Sequence, residues 1–309
     1  MEIYPRTLLE FEKMFATEEA CWDYLSRLRW PDGFRCFRCG HDKGFPLARG
    51  LFECSECGHQ TSVTAGTIFQ DTRKPLQMWF RAMWHVTNEK NGISAMSLQR
   101  LLGLTRYETA WTWLQKLRRA MVRPGRDRLS GVIEVDETFV GGEEEGVCGR
   151  QTESKALVII AAQVDGTGIG RIRMRCIPDA TSGSLLSFLQ DAIEPGSTVV
   201  TDGWSGYAGL SSHGYKHEVK VLRGKNKDAA IRILPRVHRA VSLLKRWLLG
   251  THQGAVSTEH LDYYLDEFTF RFNRRTSKSR GKLFYRLVQQ AVQVDAVTYR
   301  DIVGGAEGG

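Results

Sequence analysis

The sequence predicts an α/β layer architecture behind two smaller segments, and three observations predict it. Runs rich in Val and Ile, separated by turn residues, begin at residue 131; a helical apolar period occupies residues 75–122; and two Cys-x-x-Cys pairs precede both. The 309 residues suffice for two or three domains, with a sizeable core in the largest. The longest apolar run, ALVIIAA at 156–162, is too short to cross a bilayer, and the N-terminus MEIYPRTLLEFEKMF carries acids where a secretory signal would carry an apolar block. A cytoplasmic chain without a membrane partner is expected. Lys plus Arg exceed Asp plus Glu by 43 to 35, a net charge of +8 that favours a polyanionic partner.

The seven cysteines sort by spacing. Cys36 and Cys39 form one pair, Cys54 and Cys57 a second, fourteen residues on; Cys21, Cys148 and Cys176 stand alone. In a cytoplasmic setting such pairs read as metal ligands rather than disulfides. Each pair is followed by glycine, which lets the backbone turn tightly so that both thiolates point at one tetrahedral Zn²⁺. Four protein ligands close the site, so its role is structural: it staples short strands, expected in GFRC and GLFECSEC, that are too small to hold a core alone. His59 reads as a bystander, and the three single cysteines as small buried hydrophobes.

Pro75 suits the first turn of a helix in PLQMWFRAMWHVTNEK. A shorter helix, SAMSLQRLL, stops at Gly103, and RYETAWTWLQKLRRAM follows with a basic end. Helix, glycine turn and longer helix make a helix-turn-helix-like outline, shared by many small helical bundles. The basic linker RPGRDR at 123–128 marks a domain boundary.

Strands are then expected in GVIEVDETFV, KALVIIAAQV, GRIRMRCI and STVVTD. The third alternates, Ile172, Met174 and Cys176 against Arg171, Arg173 and Arg175, which predicts one buried and one wet face. TSGSLLSFLQDAI is an amphipathic helix that Thr181 or Ser182 can cap. The acid-rich GGEEEG at 141–146 reads as a mobile loop. RVHRAVSLLKRW at 236–247 is a helix with an apolar stripe through Val237, Val241, Leu244 and Leu248; His238 and Lys245 lie on one line beside it, two turns apart.

Asp136 and Asp202 each follow a run of β-formers, so each sits at or just past a strand end. A single aspartate there is an ordinary turn former. Two of them on adjacent strands of a basic chain can share divalent ions, and hard carboxylate oxygens suit Mg²⁺ or Mn²⁺. Glu134 and Glu137 flank Asp136 and are assigned by alternation to the other face. Glu267, in STEHLDYYLDEFTFRFNRR, is the next acid considered; it lies off that helix's inward stripe and reads as solvated, with Asp266 and Asn273 as secondary candidates. The basic runs RGKNK and RFNRRTSKSRGK hold Lys225, Lys227, Arg274 and Arg275, either solvated or touching phosphates.

The blocks VDETFVGG, TDGWSGY, VHRAVSLLKRWLLGTHQG and HLDYYLDEFTFRFNRR resemble the transposases of a zinc-ribbon-bearing group of bacterial insertion sequences, the ISXO2-like members of the DDE superfamily. The resemblance runs from the cysteine pairs to about residue 290. It implies a ribonuclease-H-like mixed sheet with flanking helices, preceded by a zinc ribbon and a helix-turn-helix-like segment. The expected domains are residues 1–64, 65–124 and 125–295, with a tail at 296–309.

Thirty-five residues separate Asp202 from His238, close to the spacing at which that superfamily places its third metal ligand on a helix. Where these relatives carry a glutamate or asparagine, this chain carries His238, and Lys245 matches their lysine. An imidazole in that place shifts preference towards Mn²⁺. The implied activity is metal-dependent cleavage and strand transfer on double-stranded DNA, at terminal inverted repeats and target, by at least a dimer. Alternatives on the same fold are an inactive DNA-binding regulator and a nuclease.

Overall fold

The computed structural model describes residues 2–123, 125–141, 155–220, 233–254 and 256–304. The chain divides into two compact units: residues 1–123 with 276–309, and residues 124–275.

The first unit opens with α1 (Leu8–Met14) and α2 (Glu18–Arg29), each started by a threonine whose hydroxyl accepts a first-turn N–H. Three short strands follow, β1 (Gly44–Pro46), β2 (Leu51–Cys54) and β3 (Gln60–Ser62), paired antiparallel in sequence order. GFRC is not a strand, contrary to expectation. The Cys36 N–H is committed to the His41 carbonyl (2.8 Å), and Phe34 packs on Trp30 and Phe52.

Three helices come next: α3 (Leu76–Asn88), α4 (Ala95–Leu102) and α5 (Tyr107–Ala120). Pro75 gives α3 no side-chain cap, and the Glu18 carboxylate supplies one, accepting from the Leu76 and Gln77 N–H groups at 2.6 and 3.0 Å. Gly103, at φ 61°, ends α4 in the left-handed conformation that glycine tolerates. The basic end of α5 is not all on the surface, because Arg118 is 1% exposed and donates to Gln115.

The second unit is built on a five-stranded mixed sheet of β4 (Val132–Val140), β5 (Ala156–Asp165), β6 (Gly168–Ile177), β7 (Thr198–Thr201) and β8 (Lys216–Val219). Their spatial order is β6-β5-β4-β7-β8. The first three form an antiparallel meander; β7 pairs parallel with β4, and β8 parallel with β7. The short polar edge strand β8 carried no apolar alternation by which it could be read. α6 (Ser182–Ala192), capped by Thr181 as expected, covers one face with Leu185, Phe188 and Leu189. α7 (Pro235–His252) and α8 (Leu261–Phe272) cover the other, burying Val237, Ala240, Leu244, Leu248, Leu265 and Phe268 against Val158, Ile160 and Met174.

The arginine face of β6 is only partly wet: the Arg171 and Arg175 side chains stay 39% and 37% exposed, while Arg173 is buried. Arg173 is 6% exposed, its guanidinium on the Asp127 and Ile172 carbonyls, and Arg175 lies over the Phe188 ring and pairs with Asp191. The open edge of β6 is closed from α8 and the residues after it: Asn273 exchanges two hydrogen bonds with the Ile172 backbone, and Asp262 accepts from the Cys176 N–H.

After Arg275 the chain returns to the first unit. α9 (Arg280–Ala291) packs along α3, with Phe284 set among Phe11, Phe15, Phe80 and Trp84. The sheet unit thus ends at Arg275 rather than 295, and the expected tail contains a short capped helix, α10 (Tyr299–Val303). No helix of the described residues is long and apolar enough to cross a membrane.

Leu244→Ala removes a fully buried side chain from the junction of α7 and the sheet. It should destabilise the second unit by about 2–5 kcal/mol, read from the shift in its denaturant midpoint.

Candidate functional site

Two constellations emerge, one in each unit. In the first, the Sγ atoms of Cys36, Cys39, Cys54 and Cys57 all lie within 4.8 Å of one another. Cys36 and Cys57 are 3.7 Å apart and Cys39 and Cys54 3.6 Å, against about 3.8 Å expected between thiolates on tetrahedral zinc with Zn–S bonds of about 2.3 Å. The two halves are built alike. Cys36 N donates to His41 O and Gly40 N to Cys36 O; Cys54 N donates to His59 O and Gly58 N to Cys54 O. Gly40 and Gly58 both take positive φ, 75° and 64°, as the tight turn requires. His59 contributes its carbonyl to this turn and is outside the ligand cluster. Of the single cysteines, Cys21 is fully buried, Cys176 is half-buried, and Cys148 lies outside the described residues.

The second constellation sits where β4 and β7 run side by side. Their parallel register pairs Glu134 with Val200, and continuing it by two residues sets Asp136 opposite Asp202 on neighbouring chains about 4.8 Å apart. By alternation both point to the face covered by α7. Asp202 is exposed just past the end of β7, where its carboxylate accepts from the Trp204 N–H at 3.0 Å. Asp136 is half-buried, and its Oδ2 lies 3.9 Å from Nε2 of His238 on α7. Burial pushes the Asp136 carboxyl up to about 6; the Asp202 charge pushes the same way, while the Glu137 N–H opposes both.

Among the described residues the four cysteines alone form a group of three or more such ligands within 4.8 Å. Asp136 and His238 lie 3.9 Å apart, and together with Asp202 they do not form such a group. Lys245, two turns further along α7, is exposed; its ammonium pKa is lowered by desolvation and then by the charge of Lys155, a neighbour that the sequence did not single out.

The other sequence candidates lie elsewhere. Glu267 is not solvated: it is 1% exposed and accepts from the Arg271 guanidinium at 2.8 Å. It lay off the apolar stripe because its partner is a cation one turn along the same helix. Burial lifts the Asp266 carboxyl to about 7 against the pull of Arg126, and Asn273 serves the β6 edge. Arg275 donates to the Ile169, Gly170 and Phe272 carbonyls and Arg274 lies over the Phe270 ring, so both guanidiniums are engaged within the protein. Lys225 and Lys227, like most of the acid-rich loop at 141–146, lie outside the described residues.

Glu134 and Glu137 do not share a face, contrary to the reading from sequence. A single residue, Val135, separates Glu134 from Asp136, so a strand places them on the same side. Glu134 accepts from the Arg236 and Val237 N–H groups, whereas Glu137 accepts from the Tyr207 hydroxyl within the α6-side core. The missed signal was in the helix rather than the strand. α7 begins Leu234-Pro235 with no local side-chain acceptor, so its first N–H groups demand one from elsewhere.

The mixed sheet thus carries one aspartate on β4 and another just past β7, with a histidine on the covering helix, in a chain that also holds a four-cysteine ribbon. Residues 128–273 match the family described as "ISXO2-like transposase domain", and residues 16–60 match "Transposase zinc-ribbon domain". The chain therefore carries the domain pair of a DDE-family transposase.

An "Uncharacterized protein in transposable element ISH50" from Halobacterium salinarum is 26% identical over 293 residues, covering 87% of this chain and 95% of its own. Similarity to solved structures is loose. A chain of the simian T-cell lymphotropic virus intasome with PP2A regulatory subunit B56 gamma shares 15% identity at a TM-score of 0.33, covering 60% of this chain and 70% of that one. A chain of the Mos1 transposase paired-end complex with left transposon end shares 12% at 0.31, covering 76% and 81%.

With divalent ions omitted, the raised pKa means that the Asp136 charge destabilises the fold above about pH 6 and ceases to do so as protonation neutralises it below. Asp136→Asn should therefore raise the melting temperature at pH 7.5, by up to about 1–3 kcal/mol of stability. That gain should vanish as the pH falls from 6 to 4, measured by calorimetry without chelator so that zinc is retained.

Proposed function

We propose that this protein is a DNA transposase that cleaves and joins phosphodiesters at the inverted-repeat ends of an insertion sequence, with Asp136, Asp202 and His238 as ligands for Mg²⁺ or Mn²⁺. The observation that carries the reading is the approach of His238 to Asp136 on the strand beside Asp202. The donor set fits hard divalent ions: two carboxylates, one raised in pKa by burial and by its acidic neighbour, and an imidazole. A spread wider than one ion's ligand shell suits a pair of ions, which in phosphoryl transfer lie about 3.5–4 Å apart. Bound there, such ions supply an activated water and neutralise charge on the attacking and leaving oxygens.

The chain's own residues divide the remaining work. Asp136, at the core edge, fixes the inner side of the site, and Asp202, held by the Trp204 N–H, fixes the outer. His238 offers a neutral nitrogen where relatives carry a third polar ligand. Lys245 lies about 10 Å further along the helix, a distance set by a rise of about 1.5 Å per residue, and grips a DNA phosphate as a point charge. The α4–turn–α5 segment and the net charge of +8 support double-stranded DNA as the partner. Joining two DNA ends in one assembly requires at least a dimer during the reaction. The four cysteines hold Zn²⁺ in a structural role, and Cys54→Ser should abolish stoichiometric zinc, measured by elemental analysis.

The experiment is nicking of a supercoiled plasmid bearing the element's ends, with Mg²⁺ or Mn²⁺. Asp136→Asn and Asp202→Asn should each abolish nicking while preserving end binding and zinc content. Cutting that survives both overturns the assignment. Wild-type binding without nicking in either metal indicates a regulator, and cutting without end dependence indicates a nuclease. Lys245→Ala should lower nicking about tenfold or more, as loss of a phosphate contact near the reacting centre does.

A further inference from the structure

The carboxylate that no role yet covers is Glu134. It is 1% exposed in the middle of the central strand, where an ionised side chain persists only if fully paired. Its pairing is complete and comes from one place. Oε2 accepts from the backbone N–H groups of Arg236 at 2.7 Å and Val237 at 3.1 Å, and Oε1 accepts from the Arg236 guanidinium at 3.0 Å. These N–H groups belong to the first turn of α7, which has no local side-chain cap. An anion there also faces the positive end of the helix dipole. Arg236 is fixed in turn, donating to the Gly166 and Gly168 carbonyls at the β5–β6 turn.

The consequence lies one same-face position further along β4 and one residue further along α7. Glu134 and Asp136 are successive same-face positions of β4, and Val237 and His238 are successive residues of α7. Joining Glu134 to Val237 thus brings His238 over Asp136. Without that clamp, apolar packing and the Arg236 bonds to the β5–β6 turn would set the helix on the sheet. Those Arg236 bonds do not reach the strand that bears Asp136, whereas Glu134 lies on it, two positions from the carboxylate that His238 approaches at 3.9 Å.

We propose that Glu134 is a positioning residue for the metal centre: clamped to the first turn of α7 from the strand that bears Asp136, it sets the His238 imidazole beside the Asp136 carboxylate. The inference rests on the reading of Asp136, Asp202 and His238 as ion ligands. It assigns to Glu134 the orienting role that partners behind metal ligands commonly have, whose loss weakens metal binding about 10–100-fold.

The test is Mn²⁺ titration of the full-length, zinc-loaded protein without DNA, followed by the free-ion electron paramagnetic resonance signal. Folding is checked in parallel by circular dichroism. Glu134→Gln keeps the shape and loses the charge, and should weaken Mn²⁺ binding about 10–100-fold. Glu137→Gln, its neighbour on the opposite face, should stay near wild type. Because Glu134 acts through His238, Glu134→Gln combined with His238→Ala should bind Mn²⁺ no more weakly than His238→Ala alone.

Fully additive losses, or wild-type affinity in a folded Glu134→Gln protein, would overturn the proposal. Should the glutamine variant fold poorly, Glu134→Asp, which keeps the charge one methylene short, must show the same loss and the same non-additivity. Unfolding of both variants would assign the carboxylate to stability alone and overturn it as well. Wild-type Mn²⁺ affinity in Asp136→Asn is a separate outcome, which removes the metal centre itself.

Discussion

The parallel pairing of β4 with β7 is the constraint on which the rest of the second unit depends. An antiparallel meander of β4, β5 and β6 could have ended the sheet at β4, leaving Asp136 on an exposed edge with water on one side. The crossover through α6 instead brings β7 in parallel beside β4 and stops it at Thr201 while β4 runs on to Val140, so that Asp136 lies mid-strand beside the carboxyl end of its neighbour. In open α/β sheets ligands gather at such carboxyl ends, because the backbone stops there and side chains take over. The arrangement has a cost visible in Asp136, whose carboxyl is pushed towards neutrality by burial and by the acid on the next strand. A site that strains its own charge is poised for cations.

Much of this was legible in the sequence, and the reasons differ from residue to residue. Asp136 and Asp202 stood out because each follows a run of β-formers, but only Asp202 lies past a strand end; contrary to expectation, Asp136 sits mid-strand, because β4 continues through residues 137–140 on its pairing with β5. His238 and Lys245 could be placed on one line of α7 because a helix of known period and an apolar stripe fix its orientation. The two cysteine knuckles were legible for the same reason: the spacing, and a glycine after each pair, dictate the turn.

What escaped was non-local. Glu134 shares the face of Asp136, and its partner, an uncapped helix start a hundred residues away, leaves no mark beside it in the chain. Glu18 does the same service for α3, so two helices that begin at proline both borrow their cap from a distant glutamate. Arg173, Arg175 and Arg275 looked like solvent or phosphate contacts because composition reports charge without reporting where carbonyls are left unpaired. β6 is an edge strand, and arginine answers its open carbonyls and covers its outer face. Glu267 is likewise buried in a pair with Arg271, one turn away on the same helix.

The same logic bears on why an imidazole fits where relatives carry an acid or amide. A third carboxylate beside Asp136 would add like charge to a half-buried group already held up to about 6, and only bound cations could offset it. An imidazole in place of a carboxylate brings one negative charge fewer, which on the proposed reading makes the site less dependent on ions for folding and gives up some attraction for them in exchange. Geometry must then supply what charge no longer does. A nitrogen ligand accepts a metal along one direction in the ring plane, so its usefulness depends on the ring being held in place far more than that of a carboxylate with two oxygens. That requirement falls on the start of α7, and the group found there is a fully paired glutamate rooted in the strand that carries the first aspartate.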